Sequence, residues 1–214
     1  MYQDRAEAAA LLAHRLSHHA GHHSLVLAIP RGAVPMARDI ARTLGSEFDV
    51  VLVRKLQAPG QPELAVGAID ETGAITASPG IELDPSAPWL RAEREQQLAL
   101  IRRRRAAWGE PLETGSLQGR KVIVVDDGMA TGATMFAALG FIRKRSPSWL
   151  VCAVPVAALQ AFERARGMAD ECVCPLVRAD LYAISQFYRD FNQVDDAEVA
   201  AALAARPRRQ LSRV

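Results

Sequence analysis

"VIVVDDGMATGATM", Val122 to Met135, places four branched apolar residues before two adjacent acids and then a loop made almost wholly of small residues and threonines. A short continuous apolar run that stops at a turn signal is the pattern of a strand covered on both faces. Asp126 and Asp127 therefore fall at its carboxyl end, where open α/β sheets hold their ligands. The turn Ala130-Thr131-Gly132-Ala133-Thr134 leads into a helix, so its backbone N–H groups are expected to point outward at the positive end of the helix dipole. Such a turn binds a phosphate. The threonine hydroxyls add donors, while Gly132 and the alanines let the anion approach the backbone. Carboxylates repel phosphate, so Asp126 and Asp127 suit groups that donate hydrogen bonds, such as paired sugar hydroxyls, or a divalent cation bound beside them. A ribose 5-phosphate carries both kinds of group.

Outward from this stretch, strands and helices alternate. Helical spacing of Ala and Leu covers residues 4–19, and "SLVLAI", Ser24 to Ile29, reads as a strand that stops at Pro30-Arg31-Gly32. A helix from about Val34 to Leu44 ends at Gly45, a natural C-cap. A second core strand is expected near Phe48 to Val53, and Leu64 to Asp70 with Ala74 to Thr76 reads as a hairpin around Glu71-Thr72-Gly73. A charged helix over 86–108 follows, then the strand Lys121 to Val125, a helix over 132–144 and a fourth core strand over 149–156. A helix over 158–167 and a short strand over 171–174 complete the pattern. This alternation predicts an α/β fold, a doubly wound and mostly parallel sheet, in one domain over residues 1–206 with a disordered tail at 207–214.

Bulk properties agree. The chain has 214 residues, half of them apolar and 23% charged, as expected of a folded globule. A net charge of +2 does not advertise nucleic acid or a membrane surface. With no signal-peptide pattern and no 18-residue apolar run, a cytoplasmic location is expected. Cys152, Cys172 and Cys174 are odd in number and lie in or beside apolar stretches, which reads as reduced thiols.

The segment around Asp126 resembles the phosphoribosyl pyrophosphate (PRPP) motif of the type I phosphoribosyltransferases: an apolar strand, two acids, two variable residues, then a small residue with Thr-Gly-x-Thr. The resemblance implies a fold with a small hood and a flexible lid, Mg²⁺ as cofactor, PRPP and a nitrogenous acceptor as substrates, and a homodimer. It places the PRPP 5-phosphate on Ala130 to Thr134, and the ribose hydroxyls on Asp126 and Asp127, with Mg²⁺ reached through water or the ribose. "AIPRGAVPMA" puts Arg31, Gly32 and Ala33 where the family's pyrophosphate loop lies, and the Pro30–Arg31 bond where the family has a cis peptide. Arg54-Lys55, read as the end of the second strand, is where the family places a basic residue on the pyrophosphate, so that Arg31, Lys55 and Mg²⁺ would neutralise the leaving group; a solvated strand end is the alternative. In relatives of the hypoxanthine-guanine type an Asp precedes Thr-Gly, whereas this chain has Ala130 and looks more like the adenine type. The chain also resembles a bacterial group of predicted phosphoribosyltransferases, some fused to hydrolase domains.

The lid would come from the long stretch between Gln57 and Gly119. Within it Glu63 or Glu71 either accepts a proton or has a structural role, and Arg91, Arg94 or Glu95 could reach a closed site. The run Arg102 to Arg105 covers every side of a helical turn, so at least two of its members are solvated. A hood from about 176–194 carries Tyr182, Phe187, Tyr188 and Phe191. These could stack on a planar acceptor, most directly Phe187 and Tyr188, with Gln186, Asn192 or Gln193 reading its edge; core packing is the alternative. "HRLSHHAGHH" puts His14 and His18 four apart, yet no acid or cysteine in sequence completes a metal site with them or with His19, His22 and His23, so a solvated helix end is expected. A PRPP-binding regulator of the same fold, without transferase activity, is the second functional reading.

Overall fold

The computed structural model describes residues 1–21, 24–78, 80–109 and 117–206, with the backbone alone for 62–64. In chain order the elements are α1 (Arg5–Arg15), β1 (Leu25–Ala28), α2 (Ala33–Leu44), β2 (Glu47–Val50), β3 (Val53–Ala58), β4 (Gln61–Asp70), β5 (Ile75–Ala77) and α3 (Pro88–Trp108). They continue with β6 (Lys121–Val125), α4 (Ala133–Arg143), β7 (Trp149–Ala153), β8 (Val156–Ala158), α5 (Leu159–Arg166), β9 (Glu171–Val173), β10 (Leu176–Arg178) and α6 (Asp196–Ala204). Short 3₁₀ turns cover Ser17–His19 and Ile184–Phe187.

Five parallel strands form the central sheet in the order β2-β1-β6-β7-β9. Strand alternation divides the core in two. Val26, Ala28, Ile123 and Val125 pack with α1, α2 and α6 on one side, and Leu25, Leu27, Val122 and Val124 pack with α4 and α5 on the other. Both faces are covered, which is why every residue of β1 is buried and why these strands read as unbroken apolar runs. The chain leaves β1 toward β2 on one side and later returns to place β6 on the other. The loops after β1 and β6 therefore open a crevice at the topological switch point of the sheet.

Local signals account for several boundaries. Asp4 caps α1 by accepting from the Glu7 N–H at 2.9 Å. Gly45 ends α2 at φ +65°, the left-handed C-cap conformation that glycine adopts freely.

The structure corrects the strand reading in two places and adds a helix. Arg54 and Lys55 do not end the second core strand: β2 stops at Val50, and both residues belong to β3, which pairs antiparallel with β4 in a separate three-stranded sheet, β3-β4-β5. The stretch 149–156 is interrupted after Ala153, and its last part begins β8, which pairs with β10. Residues 196–204, which carried no prediction, form α6, opened by a capping box between Asp195 and Glu198. The tail 207–214 lies outside the described residues. No helix among the described residues is long and apolar enough to cross a membrane. All three cysteines carry free thiols, with Cys152 buried.

Candidate active site

The loop after β6 is fixed from below. Met129 donates its N–H to the Val156 carbonyl at 2.9 Å and accepts from Ala158 N–H at 2.8 Å, so β8 holds the middle of the loop. Gly132 follows at φ +76°, a conformation that strains any residue with a Cβ, and precedes α4 without a side-chain cap. The first turn of α4 is thus left open to an anion, while the Thr131 hydroxyl lies 3.5 Å from Ala133 N–H.

The acids are held asymmetrically. Arg5, on the first turn of α1, donates to Asp127 Oδ2 from Nε at 3.0 Å and from Nη2 at 2.8 Å. Its Nη1 donates to the Asn192 carbonyl at 2.6 Å, and its guanidinium lies 3.8 Å over the Phe191 ring. Tyr188 donates its hydroxyl to the Asp127 carbonyl at 2.7 Å, and Ile184 covers Gly128 so closely that a Cβ there would meet its side chain at 2.5 Å. Among the described residues no cation forms an ion pair with Asp126, although the Arg5 charge acts on it from a distance. Asp126 accepts from the Asp127 N–H at 2.9 Å, and burial, together with the neighbouring Asp127 charge, pushes its carboxyl well above the usual range.

Across the crevice, the Pro30–Arg31 peptide is cis, as the family resemblance implied. Gly32 is packed so close to the acids that a Cβ would lie 2.1 Å from Asp127 Oδ2. Close approach, not backbone conformation, requires glycine here, since its φ is −55°. Gly32→Ala is accordingly expected to push the Asp127 carboxylate off Arg5, costing about 1–3 kcal/mol as overpacking. A urea-unfolding midpoint equal to that of the unaltered chain would contradict this packing.

Arg31 lies 3.5 Å from Asp196 at the start of α6, and Arg54 Nε donates to Gln97 on α3. Arg104 is half-buried beside both, and burial followed by the charges of Arg54 and Arg31 lowers its pKa. Three guanidiniums thus gather around Arg104, one of them from the loop after β1. Lys55 does not join them: residues 54 and 55 point to opposite faces of β3, and Lys55 is exposed.

Other expected site residues are engaged elsewhere. Glu71 is gripped by Arg105, Nε to Oε2 at 2.9 Å and Nη2 to Oε1 at 2.7 Å. With Asp49, Phe141, Lys144 and Arg145 it lines a cavity of about 470 Å³ that contains no residue of the 30–33 or 126–134 loops. The side chain of Glu63 lies outside the described residues. Tyr188 is 5% exposed and packs on Tyr2 and Phe191, so it supports Asp127 instead of offering a stacking face. Phe187 is half-buried against the same core, while Tyr182 is 86% exposed. Gln186, Asn192 and Gln193 are exposed. Arg94 donates to the Gly73 carbonyl at 3.0 Å, and Arg91 and Glu95 face solvent. Of the arginine run, Arg102 and Arg103 are exposed as expected, whereas Arg104 and Arg105 are not.

An acid pair and an anion-ready helix start at the switch point define the class to which comparison now adds the family. The chain matches the phosphoribosyl transferase domain family over residues 2–192, and it belongs to that family. Proteins from two Mycobacterium tuberculosis strains, provisionally named phosphoribosyl transferases, are 40% identical over 207 residues, covering 95% of this chain and 46% of theirs. The chain spans about half the length of the curated relatives it matches. A crystal structure of a Thermus thermophilus protein is 40% identical and superposes with a TM-score of 0.82, covering 94% of this chain and 97% of that one.

Proposed function

We propose that the chain transfers the 5-phosphoribosyl group from PRPP to a nitrogenous acceptor, most simply a nucleobase, and releases pyrophosphate. The carrying observation is the convergence of the acid pair, the Gly32 loop and the open start of α4 on one crevice, with Gly32 in direct contact with Asp127. The first turn of α4 and the threonine hydroxyls bind the 5-phosphate. Asp126, and the Asp127 oxygen that Arg5 does not hold, accept the ribose hydroxyls. Arg31, with Arg54 and Arg104, faces the diphosphate, for which guanidinium geometry is suited.

The bond from C1 of the ribose to the diphosphate oxygen breaks as the acceptor nitrogen bonds to C1. Positive charge develops on the sugar near the carboxylates, and negative charge on the leaving group near the arginines. The protein's share is positioning and fixed charge. The acid pair also fits a divalent cation. Two adjacent carboxylates, one raised in pKa by burial and by its neighbour, are stabilised by a positive ion beside them. Asp126 and Asp127 would hold Mg²⁺ through water or the ribose, and the ion when bound would neutralise diphosphate charge. We also propose the segment 176–194 as the hood. Its inner aromatics hold Asp127, so acceptor contacts fall to its outer residues.

Pyrophosphate release from PRPP and Mg²⁺ is to be measured across purines, pyrimidines and small amines, with PRPP affinity followed by calorimetry. Release that depends on one acceptor class is the expected result. Tight PRPP binding with no release for any acceptor would replace the transferase by the PRPP-binding regulator, and no PRPP binding would remove both.

A further inference from the structure

Two consecutive histidines converge on one carboxylate supplied from the other end of the chain. His18 and His19, in the 3₁₀ turn between α1 and β1, direct Nε2 toward Glu171, the first residue of edge strand β9. His18 Nε2 lies 3.0 Å from Glu171 Oε1 and 3.3 Å from Oε2, and His19 Nε2 lies 3.0 Å from Oε2. The two rings lie 4.1 Å apart, and the three ligand atoms fall within 4.8 Å of one another. Adjacent residues on a regular helix or strand point apart, so this convergence is a local arrangement that the 3₁₀ turn creates. It also answers the sequence expectation of a solvated helix end. His19 is buried, the missing acid arrives from residue 171, and His14 is exposed and outside the cluster.

The geometry points to a divalent transition-metal site of the zinc type, with His18 Nε2, His19 Nε2 and the Glu171 carboxylate as its three protein ligands. Two imidazoles and a carboxylate form a donor set suited to Zn²⁺ and poorly suited to Mg²⁺, which favours oxygen ligands. His18 is half-exposed, which leaves a solvent side for a fourth ligand and a path for the ion. His19 Nδ1 has no hydrogen-bond partner among the described groups, so Nε2 alone anchors the ring, and a metal bond there would replace a single hydrogen bond. The site is separate from the acid pair. Glu171 is in register with Val151 and, through it, with Ile123, two strands from β6 and three residues short of Asp126. An ion here would tie the turn that follows α1 to the edge of the sheet.

The test is calorimetric titration of Zn²⁺ into the full chain, stripped with EDTA and free of PRPP. One tight equivalent is expected. Glu171→Gln and His18→Ala should each weaken it by about 100-fold, the upper end of what loss of even an outer-shell partner causes, while His14→Ala leaves it unchanged. Melting curves in EDTA check that the variants fold; His18 is exposed enough that His18→Ala should match the unaltered chain there. Independently of any variant, Co²⁺ should give the visible absorption of a four- or five-coordinate ion that Zn²⁺ displaces, and Mg²⁺ should give no comparable isotherm. No Zn²⁺ binding, binding unchanged in both ligand variants, or equal binding of Mg²⁺ would reduce the cluster to a hydrogen-bonded clasp and overturn the proposal.

Discussion

Asp126→Asn is expected to lower PRPP affinity by about tenfold or more, and the double variant with Asp127→Asn by at least about 100-fold, since each hydrogen bond to a charged group contributes about 1.5–3 kcal/mol. The single variant is expected to melt no lower than the unaltered chain, because the folded chain disfavours a charge on Asp126. Burial and Asp127 raise its pKa in the folded state, so the unfolded chain releases its proton first. The penalty is fully present above the raised pKa and disappears below the ordinary carboxylate value of about 4. The amide removes it at neutral pH while keeping an oxygen for the Asp127 N–H. Calorimetry with PRPP and a thermal melt decide the matter together. Retained affinity removes the ribose assignment, and a large fall in melting temperature shows that Asp126 has a structural role instead.

Arg5→Ala should have the opposite profile, losing stability and ligand together. The guanidinium donates twice to Asp127 Oδ2, holds the Asn192 carbonyl and covers Phe191, and both members of the ion pair are largely withdrawn from water. Removing one partner of such a pair costs about 3 kcal/mol and leaves Asp127 uncompensated beside Asp126. For a chain of this size that is a fall of about 6–12 °C in melting temperature. PRPP affinity should fall as the freed carboxylate leaves its orientation. Arg5→Lys keeps the charge without the fork and should recover only part of both losses. A melting temperature unchanged in Arg5→Ala would show that the pair is a solvated contact of little consequence.

What the sequence disclosed follows from the range of the interactions involved. β1, β6 and the loop from Asp126 to Thr134 were legible because a doubly covered strand and the small-residue turn that follows it are written in consecutive residues. Gly45 was legible for the same reason. Arg5 was not. It lies 122 residues from Asp127, and nothing in "QDRAEA" distinguishes an arginine that orders an acid from one that meets water. The histidine cluster was missed likewise, because Glu171 is 152 residues from His19. β3 was merged with β2 because its alternation is half-exposed and its pairing with β4 shifts register near Gln57, which blurs the period of two. For α6 a local signal did exist: Asp195 followed three residues later by Glu198 is a capping box ahead of an alanine-rich run.

The clamp on Asp127 also bears on synthesis. Its cation comes from residue 5, its backbone support from Tyr188, and the carbonyl that fixes the cation from Asn192. A ribosome that has extruded the chain through Thr134 has produced every group proposed to touch PRPP, yet not the segment that orients Asp127. On the proposed reading, the nascent polypeptide gains its affinity for PRPP only once the stretch through Asn192 has emerged and folded back onto α1.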